Sequence, residues 1–116
     1  MPQIVVQDTL VTYTDTGKGP ILLCVHGWMH SKDSFKELAE ALGKQYRIVS
    51  LDLPNFGGSQ VNEKICSIDD YGQFVSAFAA KLKLHDYALV GHSMGGQIAI
   101  HAVSAGLIEP KQLVLI

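Results

Sequence analysis

The five residues Gly91-His92-Ser93-Met94-Gly95 constrain the fold of this chain more than any other feature. They follow an apolar run at residues 87–90 that predicts a buried strand. They lead into residues 94–105, which are apolar on nearly all sides and predict a helix packed deep against a sheet. A serine at the tip of such a sharp bend needs a strained backbone and glycine neighbours. The pattern therefore predicts a strand, a tight turn carrying Ser93 and a helix.

The rest of the chain alternates between predicted strands and helices. Apolar or alternating runs predict strands at residues 3–6, 10–14, 21–25, 46–51 and 113–116. The first two strands are too close for a helical crossover, so we expect an antiparallel hairpin at the sheet edge. The alternation predicts an α/β fold, with a mostly parallel sheet covered by helices on both faces.

The starts and ends of the other helices have local signals. Ser34 and Glu37 match the S-x-x-E capping box, which predicts a helix beginning at Ser34 and ending at Gly43. Ser67 precedes a second helix with an acidic first turn and a buried stripe that reaches Leu82. Residues 15–20 predict a turn.

Composition excludes several classes of function. The 116 residues suit one small domain with an apolar core, and the formal charge of -2 predicts no nucleic-acid partner. The sequence has no signal peptide and no apolar run long enough for a membrane span, so we expect no membrane association and a cytoplasmic location.

Reduced thiols are favoured over a disulfide for Cys24 and Cys66. No metal-ligand spacing and no nucleotide motif is present, so no metal or cofactor is expected.

A second segment supports a site at Ser93. The strand at residues 21–25 ends in His26-Gly27-Trp28. In a strand–turn–helix of this kind, an oxyanion hole uses the N–H after the serine and an N–H from the loop after this strand, here Met94 and Trp28. His26 is interpreted as a buried histidine that braces the loop, in preference to a titrating group.

The neighbouring residues have supporting or open roles. Gly91, Gly95 and Gly96 allow the bend, and His92 is expected to point away from the Ser93 hydroxyl. Trp28, Met29 and Met94 are candidates for an apolar pocket, with core packing an equal alternative for Met29.

A third segment, D-L-P-N-F-G-G-S at residues 52–59, is interpreted as a shaped structural turn. Together the segments HGW, DLPNFGGS and GHSMGG resemble the α/β-hydrolase superfamily, in its branch of small esterases, C–C hydrolases and proline iminopeptidases. Asn55 departs from the glycine of many relatives, but asparagine tolerates a left-handed backbone. The resemblance implies that Ser93 attacks the carbonyl carbon of a small ester or amide. Met94 and Trp28 then bind the oxyanion, and water releases the acyl group.

The resemblance also implies an acid and a histidine that follow the nucleophile in the chain. We therefore expect residues 1–116 to form an incomplete domain, strands one to six of the family, whose partner is a missing C-terminal half. His30 is the one histidine on a loop near Ser93, and we do not expect it to replace the base. Little or no turnover is expected from this chain alone, and residues 113–116 would form an exposed apolar edge prone to aggregation.

Two alternatives stay open. The chain could be a non-catalytic module that binds a ligand or partner, because the acid and base are absent. The scaffold could also serve a cofactor-free oxygenase or a perhydrolase. Haloalkane and epoxide hydrolysis are disfavoured, because relatives with those activities normally carry an aspartate at the position of Ser93.

Overall fold

The computed structural model describes residues 2–116 and contains six strands and three α-helices in one sheet-centred fold. The elements in chain order are β1 (Gln3–Val6), β2 (Thr9–Gly17), β3 (Ile21–Val25), a 3-10 helix (Lys32–Phe35), α1 (Lys36–Leu42), β4 (Arg47–Leu51), α2 (Ile68–Lys81), β5 (Ala88–Gly91), α3 (Met94–Ser104) and β6 (Gln112–Leu115).

The sheet has the strand order β1-β2-β4-β3-β5-β6. β1 and β2 form an antiparallel hairpin at one edge, and β2 also runs antiparallel to β4. The pairs β3–β4, β3–β5 and β5–β6 are parallel. The predicted α/β class, with its edge hairpin and mostly parallel sheet, is confirmed. Because β3 and β5 are parallel neighbours with Val25 opposite Gly91, the loops after these two strands begin side by side.

Helices cover both faces of the sheet. Alternate residues of the central strands point to opposite faces, so Leu23 and Leu89 join the larger core beneath α2 and α3, which includes Phe74 and Ile98. Cys24, Ile48 and Val90 face the other way and pack with Phe35 and with partly buried residues of α1. This two-sided burial explains why β3 and β5 appear in the sequence as unbroken apolar runs.

Two local predictions are wrong. The second strand does not end at residue 14: Thr16 pairs with Ile48 and Gly17 with Arg47, so the expected turn is confined to the residues after Gly17. The Arg47 guanidinium also donates two hydrogen bonds to the Asp15 carboxylate, which stabilises the end of β2. The residues there are typical of a turn, and for that reason the sequence predicted a shorter strand.

The capping box at Ser34 is absent. The Ser31 hydroxyl instead accepts a hydrogen bond from the Asp33 N–H at 3.2 Å and caps the 3-10 helix. α1 then begins at Lys36 with no side-chain cap. An S-x-x-E pattern also occurs by chance, and here a serine three residues earlier takes the capping position. At α2 the predicted start is confirmed, because Ser67 and Asp70 form a reciprocal capping box.

β6 lies at the open edge of the sheet, and its apolar side chains are exposed. Leu115 is on the α3 side, where its Cδ2 lies 3.5 Å from a Cβ built on Gly96. Val114 pairs with Val90 and therefore faces the opposite side of the sheet. No helix among residues 2–116 has the length and apolar character needed to cross a membrane.

Candidate active site

Ser93 is held in a backbone conformation that few side chains adopt. Its φ and ψ angles are 56° and -118°, between the end of β5 and the first residue of α3, Met94. A left-handed φ at a non-glycine residue costs free energy, and such residues concentrate at functional sites. The turn leaves Ser93 exposed, while the preceding strand β5 is buried throughout and Gly95 and Gly96 are buried at the start of α3.

Close backbone contacts leave no room for a side chain at Gly91 or Gly95. A Cβ built on Gly91 would lie 2.6 Å from the carbonyl oxygen of Gly95 and 2.7 Å from the Cα of Gly96. A Cβ on Gly95 would overlap the carbonyl oxygen of Val25 and lie 2.6 Å from that of His26. These approaches bring the first turn of α3 against the end of β3.

The loop after β3 lies directly beside Ser93. A Cβ built on Gly27 would lie 3.0 Å from the Cβ of Ser93 and 3.1 Å from the carbonyl oxygen of His92. The N–H of Trp28, the next residue, donates no hydrogen bond within residues 2–116. The N–H of Met94 is also free over the same residues, as expected at the start of a helix. Two unused backbone donors therefore border the exposed Ser93 side chain.

His26 is fully buried and fixes the start of this loop. Its Nε2 accepts a hydrogen bond from the Leu53 N–H at 2.9 Å, so the ring proton is assigned to Nδ1, which donates to the Gly27 carbonyl oxygen at 2.8 Å. Burial lowers the pKa of His26 below its usual value of 6.5, which favours the neutral ring that this pattern needs. The geometry agrees with the predicted bracing role.

The end of the loop is fixed by Asp52, which is fully buried. Its carboxylate accepts hydrogen bonds from the Lys32 N–H at 2.7 Å and the Lys32 ammonium at 3.0 Å. Further donors are the Thr12 hydroxyl and the Gly58 N–H. Burial by itself would raise the pKa of Asp52, but the hydrogen bonds from Thr12, Lys32 and Gly58 lower it below the usual 3.8. The carboxylate is therefore charged and paired.

The turn at residues 52–59 has the structural character expected of it. Asn55 adopts a left-handed φ of 76°, the conformation that asparagine tolerates. Its side-chain amide donates to the Ile65 carbonyl oxygen at 2.9 Å, and its Oδ1 accepts from the Asn62 N–H at 2.8 Å. The segment thus holds Asp52 and Leu53 in place below the loop that carries Trp28.

None of the histidines in residues 2–116 hydrogen-bonds to the Ser93 hydroxyl. The ring of His92 meets the ring of His30 edge-to-face at 5.8 Å, and its Nδ1 is buried without a partner in the described chain. His101 lies on α3 and pairs with Asp69 at 2.8 Å.

The loop after β3 exposes two apolar side chains. Trp28 is 63% exposed and packs edge-to-face on Phe56, while Met29 is 76% exposed and has a left-handed φ of 61°. The alternative of core packing for Met29 is therefore wrong. Cys24 is buried and Cys66 exposed, both as free thiols. Within the described chain, no group of three or more His, Cys, Asp or Glu side chains could hold a metal ion.

The buried pair of Lys32 and Asp52 was not predicted from the sequence. Lysine is almost never fully buried without a partner, and nothing in the residues around Lys32 marks it as different from a surface lysine. Asp52 follows directly on the buried strand β4, which was the one available signal.

Comparison with known proteins identifies the family of the fold. A family model described as alpha/beta hydrolase fold matches residues 20–112. The pimeloyl-(acyl-carrier protein) methyl ester esterase of Nitrosomonas europaea is 33% identical over 101 residues, covering 87% of this chain and 38% of that protein. Protein phosphatase methylesterase 1 of Rattus norvegicus is 38% identical over 109 residues, covering 88% of this chain and 28% of that protein.

Among solved structures, the crystal structure of a membrane phospholipase A, a bacterial virulence factor, matches with a TM-score of 0.92 at 30% identity. It covers 98% of this chain and 38% of the phospholipase chain. The chain therefore spans between 28% and 38% of the length of these relatives. With a family match over most of its residues and this agreement in fold, the chain belongs to the alpha/beta hydrolase fold family.

Proposed function

We propose that this chain carries the nucleophile, Ser93, of a serine hydrolase that cleaves a small ester or amide through an acyl-enzyme. The observation that carries the proposal is the arrangement at the end of β5. There an exposed serine in a left-handed conformation lies against Gly27 and is bordered by the free N–H groups of Trp28 and Met94. The family supports hydrolysis, and esterases are among the relatives.

The chemistry would proceed in two stages. The Ser93 oxygen attacks the carbonyl carbon and loses its proton to a base, and the carbonyl oxygen becomes negatively charged. The N–H groups of Trp28 and Met94 donate to that oxygen, and each such donor is worth about 3 kcal/mol by mutational precedent. The base gives that proton to the leaving alcohol or amine, which departs, and water then attacks the acyl-enzyme, releasing the acid and restoring the Ser93 hydroxyl.

We infer that the base and its acidic partner come from a part of the complete protein outside residues 1–116. Among the described residues, no side chain hydrogen-bonds to the Ser93 hydroxyl. A serine hydroxyl without a base is a weak nucleophile. Residues 1–116 alone are thus expected to form the site's nucleophile and oxyanion hole and to turn over little or no substrate.

Methyl esters are the substrate class that we propose from the relatives. Two of them have names that specify a methyl ester esterase or a methylesterase. An exposed Trp28 beside Ser93 also offers an apolar surface to an acyl or alkyl group. A methyl ester with a short apolar acyl chain is therefore the first substrate to test.

Labelling with a fluorophosphonate tests the nucleophile directly. The complete protein, expressed from its full reading frame, is expected to be labelled at Ser93, with the site located by peptide mass spectrometry. Ser93→Ala should abolish labelling and lower kcat at least about ten-thousand-fold. Labelling at another residue, or an active Ser93→Ala protein, would contradict the proposal.

The isolated chain gives a second test. Residues 1–116 are expected to show ester turnover no faster than their Ser93→Ala variant. A measured rate well above that control would show that a base exists within these residues.

A further inference from the structure

The direction of the Trp28 N–H is set by the carbonyl group of Gly27. The two groups belong to one planar trans peptide, so they point in opposite directions and rotate together. The Gly27 carbonyl oxygen accepts two hydrogen bonds, from His26 Nδ1 at 2.8 Å and from the His30 N–H at 3.1 Å. Any contact that fixes the His26 ring or the His30 N–H therefore also fixes the direction of the Trp28 N–H.

The His26 ring is held from below by the turn after β4. The Leu53 N–H donates to Nε2, and the ring of Phe56 packs edge-to-face at 5.6 Å. The first end of the loop at residues 26–32 therefore depends on the position of residue 53.

The second end of the same loop depends on residue 52. The Asp52 Oδ1 accepts the Lys32 N–H at 2.7 Å, and Oδ2 accepts the Lys32 ammonium at 3.0 Å. The Lys32 carbonyl oxygen also accepts the Ser50 hydroxyl at 3.2 Å. Two adjacent residues, Asp52 and Leu53, thus bond to both ends of the loop that carries Trp28.

We propose that Asp52 is a positioning residue whose carboxylate, together with the adjoining Leu53 N–H, fixes the loop so that the Trp28 N–H faces the developing oxyanion. This inference rests on the proposed function, because the direction of that N–H affects a rate only if Ser93 attacks a carbonyl. Asp52 itself is buried, and its acceptor sites are taken by Thr12, Lys32 and Gly58. Its effect on the reaction passes through backbone geometry alone.

Two double variants of the complete protein separate this role from general stability. Asp52→Leu with Lys32→Met removes the acceptor for the residue 32 N–H, whereas Asp52→Asn with Lys32→Met keeps an oxygen for it. Both remove the same two charges, and neither leaves a buried charge unpaired. Steady-state kinetics with p-nitrophenyl acetate and binding of phenylboronic acid, which forms a tetrahedral adduct with serine, are measured for each.

The leucine variant is expected to lower kcat about 10- to 100-fold with KM changed less than about threefold, and to weaken boronate binding in parallel. The asparagine variant is expected to retain kcat within about fivefold of wild type. Thr12→Val removes a hydrogen bond to the same carboxylate from β2, outside the loop, and should leave kcat within about twofold. Equal kcat in the two double variants, or an equal loss in Thr12→Val, would overturn the positioning role.

A variant at the loop itself covers the case in which the leucine protein does not fold. Asp52→Asn with Lys32→Pro deletes the residue 32 N–H at the first position of the 3-10 helix, where proline is tolerated, and leaves no buried charge unpaired. It should lower kcat about as much as the leucine variant, and an unchanged kcat would contradict the proposal. If the wild-type protein neither reacts with a fluorophosphonate nor cleaves esters, the proposed function itself is wrong.

Discussion

Gly95 lies against the carbonyl oxygen of His26: a Cβ built on Gly95 would be 2.6 Å from that oxygen. This approach joins the first turn of α3 to the loop after β3, two segments far apart in sequence. The Ser93 turn and the Gly27 loop therefore form one packed unit, and a side chain inserted between them would separate Ser93 from the Trp28 N–H.

Gly95→Ala is expected to destabilise the protein by about 2–4 kcal/mol, because its methyl group would overlap backbone atoms of Val25 and His26 that cannot move independently of the sheet. The free energy of unfolding in urea measures this loss. Esterase activity should fall at temperatures where the variant is still folded.

Gly72→Ala is the matched control. Gly72 is buried in α2, but a Cβ there would meet its nearest neighbours at 3.4 Å or more, which is ordinary contact. Alanine also favours a helix over glycine by about 1 kcal/mol. This variant should be as stable as wild type or more stable. An equal loss of stability in both variants would show that steric overlap at Gly95 does not cause the destabilisation.

Ser93→Gly is expected to raise the free energy of unfolding by about 1 kcal/mol while abolishing activity. The φ of 56° at Ser93 is costly for a residue with a Cβ and nearly free for glycine. Ser93→Ala removes the same hydroxyl but keeps the Cβ, so it should gain no comparable stability. Identical unfolding curves for the two variants would argue that the turn stores no strain.

The sequence patterns predicted most of the fold, because two-sided burial leaves apolar runs that periodicity detects at β3 and β5. The bend at Ser93 was predictable for a related reason, since its close backbone contacts admit only glycine at residues 91 and 95. The extent of β2 was not, because the pairing that keeps Asp15 and Gly17 in the sheet depends on a distant strand.

The contacts that hold the loop at residues 26–32 could not be predicted in full from the sequence. The pairing of Lys32 with Asp52 joins residues from two loops that meet only in the folded sheet, and no local spacing encodes it. His26 was easier to interpret, because a histidine directly after a buried strand has few ways to be solvated. Its partner Leu53, however, lies in a distant segment that only the fold brings to the ring.

Asp52 predicts a specific dependence of stability on pH. Its pKa in the folded protein is below the value of 3.8 expected when unfolded, so the charged carboxylate stabilises the fold. That contribution is fully present above about pH 4 and is lost as pH falls through the folded pKa. Relative to Asp52→Asn with Lys32→Met, the wild-type protein should therefore lose stability as the pH falls below about 4.

Urea unfolding at a series of pH values measures this difference. Exposed carboxylates such as Asp69 contribute equally to both proteins, so the subtraction isolates Asp52. Parallel pH curves for the two proteins would contradict a charged, stabilising carboxylate at this position.

The open edge of the sheet predicts aggregation of the isolated 116-residue chain. Val114 on β6 is 42% exposed and faces away from α3, and an exposed apolar edge strand pairs readily with another chain. Val114→Lys should raise the concentration at which light scattering appears, with stability changed by less than about 0.5 kcal/mol.

Leu115→Lys is the contrasting variant, because Leu115 packs on the α3 side near Gly96. It should reduce scattering less and cost more stability, since a charge would replace an apolar contact with a helix. If Val114→Lys scatters as strongly as wild type, association does not occur through this edge.

The two loops of the site leave β3 and β5, which are neighbours inside the sheet, each flanked by a further strand. In hydrogen exchange, interior strands open only at free energies close to that of global unfolding, whereas edges and loops fray far more often. Fraying of β1 thus leaves the registry of Ser93 and Gly27 untouched, whereas fraying of β6 breaks the hydrogen bond from the Ser93 N–H to the Ile116 carbonyl oxygen. Apart from that hydrogen bond, the two loops separate only when β3 and β5 part from each other, which requires a free energy close to that of global unfolding.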